Sequence, residues 1–229
     1  MIKNNKTPNR VAFEDLMNPV NRRNFIRYTG IGMATTAVLL TGCGDDDEGG
    51  MNNMNATLTN NDTGILNFAY ALEQLEAAFY TKVIATPYAN MSTMETNLLK
   101  DIRDHEIAHR DFFKAALGSD AIGDLQVDFS AVNFNDRNSV LTTARTFEDL
   151  GVSAYNGAGN LISNADYLVI AGKIVSVEAR HAAWIRDMLS NGTFSDSANA
   201  QGLDPAMMPS AVLQAADPFI TTTITSQLP

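Results

Sequence analysis

The sequence predicts an all-α fold, a four-helix bundle in which a long connection joins two helical hairpins. Apolar residues recur at three- and four-residue intervals over four long segments, and this period is lost across residues 119–136. The two halves also repeat one arrangement of Glu, His and Tyr residues. Because the chain has 229 residues, of which 45% are hydrophobic, we expect one bundle domain over residues 63–191 with an extension on each side.

The first hairpin is predicted from two amphipathic stripes, one from Gly64 to about Val83 and one over residues 92–117. Gly118 then supplies a helix stop. The first helix turns inward Ile65, Phe68, Ala69, Leu72, Leu75, Phe79 and Val83, and we expect its polar outer face to carry Asn67, Gln74, Thr81 and Lys82. The second helix turns inward Leu98, Leu99, Ile102, Phe112, Phe113 and Ala116.

The second hairpin follows the long connection, in which residues 125–129 form a possible short extended piece. Its helices are predicted at about 137–162 and 166–190, and Trp184 is assigned to the core with the other large apolar side chains. Three glycines in the third helix, Gly151, Gly157 and Gly159, are each less favourable than Ala by up to about 1 kcal/mol. This indicates close helix contact, a kink or a channel to the metals, and packing is the favoured reason. The tail, residues 192–229, is expected to wrap the bundle.

An internal repeat connects the two hairpins. Each half has a Glu followed seven residues later by a Tyr, and a Glu-x-x-His motif begins 33 residues after that Glu in the first half and 30 in the second. The repeated residues are Glu73, Tyr80, Glu106 and His109 in the first half, and Glu148, Tyr155, Glu178 and His181 in the second. Each half therefore offers the same set of metal-binding groups.

These groups are predicted to point into the core. At 100° per residue, Glu106 and His109 lie 60° apart on the helix, between Leu99, Ile102 and Phe113. The same count places the other repeated Glu and His residues among apolar neighbours. Buried carboxylates are unfavourable without compensation, so four of them require cations, and two divalent ions supply four positive charges. The mixed oxygen and nitrogen donors suit iron or manganese.

The pattern resembles that of the ferritin-like superfamily, which includes bacterioferritin and rubrerythrin. The stretches 72–80 and 177–184 further resemble the bacterial and plant desiccation-related branch, and the resemblance covers residues 64–190. It implies that Glu106 and Glu178 bridge two metal ions, while the terminal ligands are Glu73 with His109 and Glu148 with His181. Tyr80 and Tyr155 are then expected to be hydrogen-bond partners of the ligands.

Two further residues of the apolar arcs leave alternatives open. Glu76 can replace Glu73 as a ligand, although the repeat argues for Glu73, because Glu76 corresponds to Gly151 and Glu73 to Glu148. His105 lies about 40° from His109 and is either an extra ligand, a partner of the ligands, or a histidine hydrogen-bonded in the core. The last is the favoured interpretation.

The first 43 residues resemble an export signal. Arg22 and Arg23 are followed by Asn-Phe-Ile, as in a twin-arginine signal, and by an apolar run too short to span a membrane. The run ends at Leu-Thr-Gly-Cys, which resembles a lipobox with Cys43 as the acylated residue. Residues 44–62 are acidic and polar and are expected to form a flexible tether. We therefore predict a lipid-anchored protein of the bacterial cell envelope.

The charge and the predicted site limit the function. A net charge of -10 argues against a nucleic-acid partner, and a single cysteine permits no internal disulfide. The expected function is oxidoreductase chemistry on ferrous iron, oxygen or peroxide at two iron or manganese ions. The alternatives are a non-catalytic stress or desiccation protein that keeps the bundle, and iron binding or storage. Storage needs a shell of many subunits, which a long tether and a lipid anchor on every subunit make awkward; an oligomer is possible, but the sequence does not fix the oligomeric state.

Overall fold

The computed structural model describes residues 55–229, and the four-helix bundle predicted from the sequence is confirmed. The elements in chain order are β1 (Asn55–Leu58), α1 (Asp62–Ala85), α2 (Thr93–Leu117), α3 (Arg137–Ala158), α4 (Ala165–Leu189), α5 (Pro209–Ala216) and β2 (Thr223–Ser226). Helix α3 is shorter than expected, because a 3-10 turn over Gly159–Leu161 ends it. The predicted export signal, Cys43 and residues 44–54 of the tether lie outside the described residues.

Each long helix begins at a polar residue that caps it. Asn61 accepts a hydrogen bond from the backbone N–H of Gly64, and Asp136 and Asn164 cap α3 and α4 in the same way. Helix α2 has a full capping box, in which Ser92 and Glu95 each bind the other's backbone N–H. Arg137 then joins three helix ends, because it donates to the Glu95 carboxylate at 2.6 Å and to the backbone oxygen of Met188 at 2.7 Å.

Helix α1 is buried on most of its circumference, which corrects the predicted polar outer face. Asn67 and Gln74 are buried, at 4% and 8% exposure, because the long connection covers them. The Asn67 amide donates to the backbone oxygen of Asp120 and accepts from the N–H of Ile122, while Gln74 accepts from the N–H of Leu125. The side chains thus satisfy backbone groups of a segment without regular structure.

The two ends of the described chain meet in a small parallel sheet. Strand β1 pairs with β2, Asn55 opposite Thr223 and Leu58 opposite Ser226. This corrects the expected tether, since residues 55–58 are ordered by a partner that is distant in sequence. The possible extended piece at 125–129 is represented by a single antiparallel bridge between Val127 and Ile220. Helix α5 packs on α3, and both Val212 and Ala216 of α5 are buried.

The assignment of Trp184 to the core was wrong. Its side chain on α4 is 53% exposed, next to the equally exposed Phe194. The neighbouring Ile185 is fully buried, so position 184 lies outside the edge of the inward arc rather than within it. Within the described residues, no helix is both long and apolar enough to cross a membrane.

Candidate metal centre

The six predicted ligands come together in the middle of the bundle. Helix α1 contributes Glu73, α2 contributes Glu106 and His109, α3 contributes Glu148, and α4 contributes Glu178 and His181. All four glutamates are 0% exposed, and His181 is 4% exposed. This placement follows from the helical spacing, because each ligand lies in the arc that faces the other three helices.

The donor atoms form two groups of four that share two members. One group contains Glu73, Glu106, His109 and Glu178, and the other contains Glu106, Glu148, Glu178 and His181. Within each group the ligand atoms lie within 4.8 Å of one another. Glu106 and Glu178 therefore stand between two positions, each of which has its own terminal Glu and His. The donors thus form two overlapping groups, each of which could hold a metal ion.

The imidazoles face the carboxylates closely. His109 Nδ1 lies 3.0 Å from Glu178 Oε1 and 3.3 Å from Glu73 Oε2, and His181 Nδ1 lies 2.8 Å from Glu106 Oε1 and 3.5 Å from Glu148 Oε2. These contacts lack hydrogen-bond geometry, since neither Nδ1 has a hydrogen-bond partner. Donors bound at about 2.1 Å to one ion, at right angles, are about 3 Å apart, so the spacing fits ligands of a common ion.

Unpaired polar atoms show that the residues fit metal ions. Buried side-chain atoms without a hydrogen-bond partner include both carboxylate oxygens of Glu106 and of Glu178, one oxygen each of Glu73 and Glu148, and Nδ1 of both histidines. Leaving a buried polar atom unpaired is unfavourable by about 1–3 kcal/mol, and more for a charged group. Eight such atoms that converge on one region are best explained as oxygen and nitrogen donors for metal ions.

The charges of the centre are strongly perturbed. Burial, together with the facing carboxylates, raises the pKa of Glu178 well above its ordinary value, and burial raises the pKa of Glu73 to about 7. Burial also acts to raise the pKa of Glu106, but the imidazoles of His109 and His181 beside it lower that pKa to about 2. Burial would lower the pKa of His181, but Glu148 and Glu106 raise it to about 11. Without cations the centre therefore retains protons, and bound cations would replace them.

Two tyrosines cross between the halves. Tyr80 on α1 donates to Oε1 of Glu148 at 2.5 Å, and Tyr155 on α3 donates to Oε1 of Glu73. Each tyrosine thus binds the terminal glutamate of the opposite half, and each leaves the other oxygen of that glutamate unpaired. The hydrogen bonds orient the carboxylates so that their free oxygens point into the centre.

A comparison with models of known protein families shows to which family the chain belongs. The model of the ferritin-like domain matches residues 61–191, which is more than half of the chain and contains all six predicted ligands. The protein belongs to the ferritin-like family. No curated protein sequence matches the chain. The predicted resemblance is therefore confirmed at the level of the family: the chain has a ferritin-like fold and buried Glu and His residues that could hold a metal ion.

Glu76 of this ferritin-like protein belongs to neither group of four. It is nonetheless buried, at 3% exposure, and burial raises its pKa well above the ordinary value, with Glu178 and Glu106 adding to the effect. The space for its carboxylate comes from Gly151, because a Cβ added there would stand 3.2 Å from Glu76 Oε1 and 3.6 Å from Glu178 Oε2. Close packing at this glycine, predicted from the sequence, is thus a contact with the acidic centre.

His105 differs from the favoured expectation of a core histidine. The residue as a whole is exposed, and its Nδ1 atom lies 2.9 Å from Nε2 of His181 on α4. It belongs to neither group of four, so its contact is with one of the predicted ligands rather than with the carboxylates. Sequence reasoning named this possibility but had no signal to prefer it, because the contact joins helices that are far apart in the chain.

Proposed function

We propose that this ferritin-like protein is a two-metal oxidoreductase of the cell envelope, which acts on ferrous iron, oxygen or peroxide at a pair of iron or manganese ions. The observation that supports it most is the sharing of Glu106 and Glu178 between two complete groups of donors. A single structural ion would need only one of these groups. Two adjacent positions suit a reaction in which two electrons are exchanged with one small molecule.

The roles of the residues follow from their contacts. Glu106 and Glu178 would each hold both ions, while Glu73 with His109 and Glu148 with His181 would complete one position each. Iron or manganese held in this way supplies redox chemistry by a change of oxidation state. Tyr80 and Tyr155 fix the terminal carboxylates, and all four ligand glutamates are fully buried, which keeps them out of contact with bulk water.

A purely structural role explains the arrangement of the buried carboxylates less well. Four buried carboxylates oppose folding unless they are compensated, and apolar residues of similar size would stabilise a bundle at least as well. The unpaired oxygens of Glu106 and Glu178 are therefore difficult to explain in a protein that serves only as a scaffold.

The location in the envelope is part of the proposal and rests on the first 43 residues. The Arg22-Arg23 pair favours export by the twin-arginine route, and Cys43 would carry the lipid that attaches the protein to a membrane. Because this route moves folded proteins, the metal ions would be inserted in the cytoplasm, away from competing copper and zinc. An exported protein that acquires its metal only outside would contradict this step.

Metal content is the first test. The protein is purified in detergent without added metal and analysed by elemental mass spectrometry, beside a variant with both Glu106→Ala and Glu178→Ala. We expect about two iron or manganese ions per chain in the original protein and fewer than about 0.2 in the variant, because every donor group loses two of its four members. Circular dichroism controls for folding. A folded original protein that holds no metal, even after reconstitution, would contradict the proposal.

Turnover is the second test. Oxygen consumption with ferrous iron and decomposition of hydrogen peroxide are measured for the metal-loaded protein and for Glu148→Gln. We expect activity in at least one assay and a loss of at least about 100-fold in the variant, because a metal position with a missing carboxylate cannot cycle normally. Equal activity in both proteins would show that the centre does not carry the reaction.

A further inference from the structure

The ring of His181 uses both of its nitrogens, and they face in different directions. Nδ1 lies 2.8 Å from Glu106 Oε1 inside the centre, and Nε2 lies 2.9 Å from Nδ1 of His105. The two rings are nearly parallel, with an angle of 9° between their planes and 5.1 Å between their centroids. With nitrogens this close and centroids this far apart, the rings meet through their edges, as a hydrogen bond requires.

This contact selects one arrangement of protons once Nδ1 of His181 binds an ion. Nδ1 must then offer a lone pair, so the proton of the neutral ring is on Nε2. His105 Nδ1 is the acceptor for that N–H, and the proton of His105 is then on its own Nε2. In the opposite arrangement Nδ1 of His181 carries a proton and cannot bind a metal. The pair therefore has one arrangement that is competent for binding.

The other half lacks an equivalent pair. His105 immediately precedes Glu106, and the residue that immediately precedes Glu178 is Val177, which has no hydrogen-bonding side chain. Among residues 55–229, no hydrogen bond to Nε2 of His109 is present. The two halves therefore share their ligands but differ in how the ligand histidine is held.

We propose that His105 is a positioning residue, which holds the His181 ring in the orientation and tautomer that present Nδ1 to a metal ion, and thereby makes the His181 position the tighter of the two. The inference rests on the proposed two-metal centre. His105 does not act as an extra ligand, because its Nδ1 faces His181 and it lies outside both donor groups.

The test uses the full-length protein and stepwise titration with Mn²⁺, followed by electron paramagnetic resonance of the unbound ion. His105→Leu removes the acceptor, His105→Asn keeps an acceptor at the place of Nδ1, and Val177→Leu is the matched control in the other half. We expect two unequal binding steps in the original protein. Loss of the acceptor should weaken the tighter step by about 10–100-fold, while the asparagine variant and the control stay within about threefold.

Two further variants identify the affected position. In a Glu73→Ala background the His181 position is left, and His105→Leu should weaken the remaining Mn²⁺ by the same factor. In a Glu148→Ala background the His109 position is left, and His105→Leu should change its affinity by less than about threefold. An equal effect in both backgrounds would indicate a general loss of structure and would overturn the inference.

A second readout does not depend on turnover. In protein loaded with diamagnetic Zn²⁺, ¹⁵N NMR should show a slowly exchanging Nε2–H on His181 in the original and in His105→Asn, and fast exchange in His105→Leu. An original protein that binds two Mn²⁺ ions with no change in His105→Leu would refute the role of His105 and leave the proposed function standing. An original protein that binds neither Mn²⁺ nor Zn²⁺ would refute both.

Discussion

The two halves of the bundle agree in their ligands and differ in what surrounds them. In both, a Glu-x-x-His motif faces a glutamate of the neighbouring helix, and a tyrosine reaches across to the other half. Around this common set, α1 carries Glu76 where α3 has Gly151, and α2 carries His105 where α4 has Val177. The first hairpin therefore supplies an additional acid and an additional imidazole to a centre that is otherwise symmetric.

If the proposed centre holds two ions, this difference predicts that the two metal positions are unequal. The ligands need helical spacing alone, and both halves retain it. The groups that tune a ligand need a second contact, and these contacts cross between the halves: Glu76 occupies the space left by Gly151, and His105 of α2 binds His181 of α4. The asymmetry thus arises where one hairpin meets the other.

The largest expected effects come from removing one terminal ligand in each half. Glu73→Ala and Glu148→Ala should each lose one of the two proposed metal ions. Because a direct ligand is lost, the affinity at that position should fall by more than the loss of about 10–100-fold that is typical when a partner of a ligand is removed. Elemental mass spectrometry after dialysis measures the remaining ion.

Glu76→Ala is the control for these variants. It should retain both ions, since Glu76 belongs to neither donor group. If Glu76→Ala loses an ion while Glu73→Ala keeps two, then Glu76 is the ligand and the repeat has been misread.

The two tyrosines allow a test of the hydrogen bonds that cross between the halves. Tyr80→Phe removes the hydrogen bond to Glu148, and Tyr155→Phe removes the one to Glu73. Each should weaken one metal position by about 10-fold or more, and the affected position should be that of the opposite half. Titration of each variant in the Glu73→Ala and Glu148→Ala backgrounds assigns the effect. A loss within the same half would contradict the crossed contacts.

The ligand arrangement was open to prediction because it depends on local periodicity. Glu106 and His109 are three residues apart on one helix, and apolar neighbours indicate which way they face. The repeat then selects Glu73 and Glu148 from the other acidic residues. The structure brings all six side chains together, and their role as ligands remains a prediction for the metal analysis to decide.

The departures from prediction depend on contacts between distant segments. Asn67 and Gln74 look like outer-face residues, and they are buried only because residues 120–125 lie over them. Strand β1 has only four residues and follows the acidic, polar segment expected to be flexible, and its partner β2 lies at the other end of the chain. Trp184 fits an apolar stripe, and only the packing of α4 shows that it lies outside the inward arc. None of these contacts leaves a local pattern.

The pairing of Glu76 with Gly151 predicts a smaller effect on stability. Gly151→Ala should gain up to about 1 kcal/mol from helix propensity, but its Cβ would stand 3.2 Å from Glu76 Oε1 and crowd it. We therefore expect little or no gain in the original protein and about 1 kcal/mol in a Glu76→Ala background, measured by urea unfolding. The difference between the stability changes in the two backgrounds is the coupling free energy of residues 76 and 151.

Gly159→Ala provides the matched control for that cycle. A Cβ at Gly159 would meet only Leu168 Cδ1, at 3.7 Å, which is an ordinary contact. Its effect should be the same with and without Glu76. If Gly151→Ala raises the free energy of unfolding equally in both backgrounds, the Glu76 carboxylate moves aside without a measurable loss of stability.

The smallest effect concerns the end of the bundle where Arg137 joins the hairpins. Burial acts to raise the pKa of Glu95, but hydrogen bonds from Ser92 and Arg137 lower it to about 2 from an ordinary 4.5. A lowered pKa stabilises the fold when the carboxyl is ionised, so this contribution is present above about pH 4.5 and is lost as the pH falls towards 2.

Glu95→Gln should therefore reduce the free energy of unfolding by about 0.5 kcal/mol near neutral pH, a small value because Arg137 is partly exposed and solvent screens the pair. Gln still fits the capping box, so the variant isolates the charge. The difference between the two proteins should shrink as the pH is lowered from about 5 towards 3, as followed by thermal unfolding of the metal-free protein. A difference that stays constant with pH would mean that packing, rather than the ionised carboxylate, connects α2 to α3 at this end.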